Sequence, residues 1–217
     1  GARVEVEGII SAGVLVADEV ESESGEARLY AELVSSDAAA ETLEVSFSGL
    51  SGSITIQLDT GTEVDDDLGS VDSIAELLDT ALVPPGTFLR IDGLETAGDV
   101  VLAEKVKIDT ADKYLIRGIV DSNNGVNSIT ILGVDFSTAG ATDFQDSNEV
   151  PFADSAAFYA ALNDGDVVKA VDDDLDGVID EVELDLLLAE LSKAEVDRDS
   201  AFALLGQTIT IGAGERL

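Results

Sequence analysis

Apolar and polar residues alternate along much of this chain, and the alternation breaks at glycines. Val4-Glu5-Val6-Glu7-Gly8 is followed by Gly13-Val14-Leu15-Val16-Ala17-Asp18-Glu19-Val20-Glu21. Leu89-Arg90-Ile91-Asp92-Gly93 is followed by Gly98-Asp99-Val100-Val101-Leu102-Ala103-Glu104-Lys105-Val106-Lys107. Val167-Val168-Lys169-Ala170-Val171 is followed by Gly177-Val178-Ile179-Asp180-Glu181-Val182-Glu183. A two-residue period on both sides of a glycine-bearing turn predicts a β-hairpin with one buried face.

A second pattern also recurs. Ser53-Ile54-Thr55-Ile56 matches Ser128-Ile129-Thr130-Ile131 and Thr208-Ile209-Thr210-Ile211. Each is preceded by another alternating stretch: Leu29 to Leu33, Leu115 to Val120, and Leu187 to Leu191. Between the two patterns lie two helical stretches, Ser73–Asp79 and Ser155–Leu162. Asp72 or Ser73 can cap the first and Asp154 the second, and Asn163-Asp164-Gly165 stops the second. A third strand is expected near Ile56–Val64 in one repeat and Val134–Phe144 in the other.

With the strand pair ending in Ile-Thr-Ile as a front half and the glycine-turn hairpin as a back half, the chain alternates back and front halves throughout. Two complete repeats are expected at 26–110 and 111–185, a lone back half at 1–21 and a lone front half at 186–217. The order strand, strand, strand, helix, strand, strand is that of a small five-stranded OB-like barrel. The predicted fold is therefore mainly β: tandem OB-like barrels, one short helix in each complete repeat, and half-repeats at both termini. Expected inward residues are Ile54, Ile56, Leu77, Leu89, Ile91 and Val106 in one repeat. In the other they are Ile129, Ile131, Phe158, Val168, Val178 and Val182.

The Val4-x-Val6-x-Gly8 … Gly13-x-Leu15-x-Ala17-x-x-Val20 hairpin resembles the repeat of a bacterial family known only as a domain of unknown function. The resemblance implies tandem occurrence in secreted or surface proteins and brings no catalytic residues. The third hairpin departs from the pattern: it lacks the alanine, and an acidic run replaces its turn.

That run, Asp172-x-Asp174-x-Asp176-Gly177-x-Ile179-x-x-x-Glu183, has the spacing of an EF-hand calcium loop. Asp172, Asp174 and Asp176 would converge on a Ca²⁺ ion. The Val178 carbonyl would point inward, Asp180 would hold a water, and Glu183 would bind through both oxygens. The flanking residues read as strand rather than helix, which can turn Glu183 away. Otherwise the run is a solvated acidic turn. Asp65-Asp66-Asp67 lacks the alternate spacing, and Asp197-Arg198-Asp199 reads as a solvated loop.

Composition narrows the function. The 217 residues carry 46 acidic and 11 basic side chains, a formal charge of −35. Such a field repels nucleic acid and anionic membranes and favours cations. Cys, His, Met and Trp are absent, which removes disulfides, thiolate and imidazole metal sites, cysteine nucleophiles and histidine bases. A chain without Cys or Met also suits an oxidising exterior. Long apolar runs are missing, so no membrane insertion is expected. The first residue is Gly, as in a processed form or a piece of something longer.

These features point to a non-catalytic protein, secreted or on the bacterial surface. Its partner would be a second copy, joined head-to-tail through 1–21 and 186–217 into a filament or surface layer. The same halves could also be completed within a longer tandem array or by fold-back. The alternative function is a calcium-dependent adhesion or ligand-binding module of a longer surface protein.

Overall fold

The computed structural model describes residues 5–11, 14–21, 26–66, 69, 71–96, 100–185, 201–204 and 207–210. Two compact units divide the chain: 24–186 is one, and 1–23 with 187–217 is the other.

In the smaller unit, β1 (Glu5–Ser11) and β2 (Val14–Glu21) form an antiparallel hairpin that is a two-stranded sheet by itself. Its register jumps between Glu7↔Glu19 and Gly8↔Ala17, so Asp18 is the extra residue of a bulge opposite the Glu7–Gly8 step.

The larger unit holds two repeats. The first runs β3 (Glu26–Asp37), β4 (Thr42–Ser46), β5 (Ile54–Gln57), β6 (Glu63–Asp66), α1 (Ile74–Leu77), β7 (Phe88–Thr96) and β8 (Val100–Ile108). The second runs β9 (Tyr114–Asn123), β10 (Ser128–Ile131), β11 (Val134–Ser137), β12 (Asp143–Asp146), α2 (Ser155–Ala161), β13 (Val167–Asp172) and β14 (Glu181–Asp185). The smaller unit ends with a second hairpin, β15 (Ala201–Leu204) and β16 (Gln207–Thr210).

Alternation does what it predicts in β3. Ala27, Leu29, Ala31 and Leu33 are buried, while the residues between them face outward. Within its own repeat the strand serves two partners, β7 along Glu26–Glu32 and β4 along Glu32–Asp37. A bulge after Leu33 leaves Val34 unpaired and exposed, and it bends the strand between them.

The first repeat closes into a five-stranded barrel. The ladders run β3–β4, β4–β5, β5–β8, β8–β7 and β7–β3, with β5 and β8 parallel. β6 adds to β8 in parallel beyond β5. In the second repeat β9 pairs β10 and β13, β10 pairs β11, β13 pairs β14, and β14 takes β12 in parallel. Among the described ladders β11 pairs only β10, so this ring stays open.

The chain is thus mainly β and built from tandem barrel repeats, with one short helix in each. Both caps are local. The Ser73 hydroxyl accepts from the Glu76 N–H, and the Glu76 carboxylate accepts from the Asp72 N–H and the Ser73 hydroxyl, which holds the Glu76 carboxyl below its ordinary pKa. Asp154 accepts from the Ala157 N–H.

The repeats join through their first strands. β3 and β9 run antiparallel with Leu29 opposite Ile116, Arg28 opposite Arg117 and Tyr30 opposite Leu115. Leu29 lies beside Ile91, and Ile116 beside Ala170, which occupies the same place in its repeat. Leu29 and Ile116 are therefore equivalent, and a local two-fold passes between them. The facing guanidiniums are each neutralised, Arg28 by Asp92 and Arg117 by Glu26 and Asp185. An aromatic cluster spans the same joint: Phe47 of the first repeat packs edge-on against Tyr114 and Phe136 of the second. The Tyr114 hydroxyl donates to Glu32, and burial followed by that carboxylate pushes its pKa up to about 12.

Three expectations need correction. The Ile-Thr-Ile motifs are not equivalent positions: Ile54-Thr55-Ile56 lies in the third strand of its repeat, whereas Ile129-Thr130-Ile131 lies in the second. Alternating Ile and Thr encodes a half-buried strand but not its place in the order. Val178, expected inside, is 43% exposed, and Ile179 takes the core slot at 4%. The other expected core residues are buried. The single third strand expected in each repeat is two short ones, β5 with β6 and β11 with β12.

Candidate metal centre

β13 ends at Asp172, and the loop 173–180 carries the chain into β14. Leu175 and Gly177 take positive φ of 63° and 86°, which lets the loop coil on itself. Asp172, 2% exposed, accepts from the backbone N–H groups of Asp176 and Gly177 at 3.3 and 2.8 Å. Asp174 also accepts from the Asp176 N–H, and Asp176 accepts from the Val178 N–H. One carboxylate oxygen from each of Asp172, Asp174 and Asp176 lies within 4.8 Å of the others. Partial desolvation, and then the charges of Asp176, Asp180 and Asp172, raise the Asp174 pKa above the ordinary carboxylate value.

The other two carboxylates of the twelve-residue pattern, Asp180 and Glu183, lie outside this group. Asp180 accepts from the Asp173 N–H at 2.9 Å, and its own backbone N–H and C=O bind Val171 and the Thr142–Asp143 turn. The Val178 side chain lies over Gly140, where an added Cβ would come within 2.2 Å of it. Glu183 sits in β14 directly opposite Lys169, whose ammonium binds it and Glu181. Strand pairing, not the loop, sets the direction of Glu183. The alternation of β13 and β14 sets Lys169 on the same face as Glu181 and Glu183, a pairing legible in the sequence only once the register is known.

Three carboxylates and no nitrogen or sulfur donors suit a hard cation such as Ca²⁺, which takes six to eight oxygens. With Glu183 elsewhere, water would have to supply several of them.

Of the other acidic runs, Asp65 pairs with Lys105 at 3.4 Å, and the lysine also binds Glu63. Asp67 and Asp197-Arg198-Asp199 lie outside the described residues.

A model of the family described as a domain of unknown function, DUF5666, matches residues 33–107 and again 117–171, together more than half of the chain. The chain belongs to the DUF5666 family. None of the curated proteins and none of the solved structures matches it. The two DUF5666 matches fall inside the two repeats, and they stop at different places. The first runs through the whole of β7 and most of β8, whereas the second ends at Val171, one residue before Asp172. The acidic loop thus begins where the shared DUF5666 pattern stops.

Proposed function

We propose that this protein is a non-catalytic structural protein of the bacterial exterior, secreted or held at the surface. It assembles by strand complementation between its terminal half-repeats, 1–21 and 186–217. One observation carries the reading. The β1–β2 hairpin has the register of β7–β8, including its bulge: Asp92↔Lys105 jumps to Gly93↔Ala103 as Glu7↔Glu19 jumps to Gly8↔Ala17. Yet β7–β8 has β3 along one edge and β5 with β6 along the other, while among the described residues β1–β2 forms a sheet of its own. A bare hairpin is marginally stable in water, and its edges invite another strand. A heterologous contact of this kind propagates as a filament unless its rotation closes a ring.

The formal charge of −35 keeps such a protein soluble before assembly and supports a partner that is cationic or is bridged by cations. An OB-like barrel serves here as a rigid module rather than as a groove for nucleic acid. Electron microscopy of the full-length protein should show polymers. A chain lacking Gly1–Glu21 should stay dispersed, and the free Gly1–Glu21 peptide should cap growing polymers. Full-length protein that remains monomeric at high concentration would remove the proposal.

The converging carboxylates of Asp172, Asp174 and Asp176 favour a second reading, a calcium-dependent adhesion or ligand-binding module. Polymers that form only with Ca²⁺ would join the two readings; calcium binding without polymers would favour the second.

A further inference from the structure

The two-barrel unit starts and finishes at the same place. Arg117 donates through Nη1 to the Glu26 carbonyl and carboxylate at 3.2 and 3.0 Å, and through Nη2 to the Asp185 carboxylate at 2.7 Å. Backbone register agrees. Ile119 pairs Val167, and Val167 pairs Asp185. Extending the β3–β9 ladder from Arg28↔Arg117 by two residues brings Glu26 opposite Ile119. Glu26, Ile119, Val167 and Asp185 therefore form one row across four neighbouring strands, about 14 Å from first to last at the usual strand spacing.

The chain thus comes into the core and leaves it at one edge. Glu26 lies five Cα–Cα steps after Glu21, a reach of about 17 Å, and Ala201 lies sixteen steps after Asp185, a reach of about 55 Å. Both half-repeats are tethered within reach of each other in a single chain, and 1–23 with 187–217 is the pair that makes up the smaller unit.

Among the described residues no ladder joins the two hairpins, and the closed barrel shows the one that would. There β5 runs parallel to β8, with Thr55 opposite Val100. Val100 pairs Thr96 at the turn end of its hairpin, as Val14 pairs Ser11. Thr210 holds the place of Thr55 in the Ile-Thr-Ile motif of β16, and Ala201 lies opposite it as Glu44 lies opposite Thr55.

We infer that the chain completes its own third barrel, with β16 docked parallel to β2 and Thr210 opposite Val14, and that assembly exchanges this hairpin with that of a second copy. The inference rests on the strand-complementation reading and adds a closed monomer to it. The same ladder forms in both states, so exchange trades one contact for an equal one. Short tethers give the intramolecular contact a millimolar effective concentration, and the closed form dominates in dilute solution. Assembly then needs either high concentration or an event that pulls β1–β2 away.

The chain has no cysteine, so a single engineered pair reports cleanly. The full-length Val14→Cys/Thr210→Cys variant is oxidised at low micromolar and at high concentration, then run on non-reducing gels with mass spectrometry. A Val6→Cys/Val20→Cys variant serves as the control within the β1–β2 hairpin. The expected result is at least about a ten-fold excess of intrachain over interchain disulfide when dilute, and a covalent ladder through the same pair when concentrated. Interchain disulfide alone at every dilution would overturn the closed monomer and leave strand complementation standing. No disulfide between positions 14 and 210 in either state, with the control pair formed, would overturn both.

Discussion

The two repeats are built alike up to their last hairpin and then part. In the first, β7 and β8 are nine residues each; in the second, β13 has six and β14 five. Counting from the matching pairs Ile91↔Val106 and Ala170↔Val182 shows what was exchanged. Val100, Val101 and Leu102, which pair with β5 and close the first barrel, correspond to Asp176, Gly177 and Val178. Gly93, at the bulge, corresponds to Asp172. β6 and β12 keep their parallel places beside β8 and β14 in both repeats. The second repeat has therefore given up the closing ladder alone and put a carboxylate loop in its place. That loop packs against the turn after β4, where an added Cβ on Gly177 would lie 3.0 Å from the Ser48 carbonyl oxygen. A barrel can yield its closing strand when its sister covers the gap.

Four measurements test how far the repeats are alike. Leu29→Ala and Ile116→Ala, at the local two-fold, remove equivalent side chains that are 0% and 1% exposed. Each should cost about 2–5 kcal/mol in chemical denaturation, and the two costs should be similar. A gap of several kcal/mol between them would mean the joint is not symmetric.

Gly93→Ala should come next, at about 3 kcal/mol, because its Cβ would sit 2.3 Å from the Leu102 carbonyl oxygen in a paired strand. Asp172→Ala at the matching position loses two backbone donors' acceptor instead, at about 1–3 kcal/mol. If Gly93→Ala is tolerated without loss, the closed barrel is looser than its ladder implies.

Saturating Ca²⁺ should raise the melting temperature, by the equivalent of about 2.7 kcal/mol at a hundred times Kd. Asp174→Asn with Asp176→Asn should abolish the gain. The pH sign is opposite to that of an ion-paired carboxylate. The Asp174 pKa is raised in the fold, so the stability linked to its proton is complete only below the ordinary aspartate value and is lost as pH rises through the folded value. Ca²⁺ replaces that proton, so the calcium gain should grow from pH 4 toward neutrality. A gain that does not change with pH would place the ion elsewhere.

The smallest effect belongs to Glu183. Glu183→Gln loosens its pair with Lys169 and should cost at most about 1 kcal/mol, leaving the calcium shift unchanged. A lost calcium shift in this variant would restore Glu183 as a ligand.

Much of this was legible in the sequence. Alternation located nearly every strand, Asp154 and Ser73 announced the helix starts, and the spacing of Asp172, Asp174 and Asp176 foretold their convergence. These are local properties: a pleat, a cap or a tight loop is set by residues a few positions apart. The pairing of β3 with β9, the different strand ranks of the two Ile-Thr-Ile motifs, the open second ring and the capture of Glu183 by Lys169 were decided only in three dimensions. Each depends on which strand lies alongside. An alternating sequence presents the same half-buried face and the same backbone donors to any neighbour, so the partner is chosen by packing across the whole core.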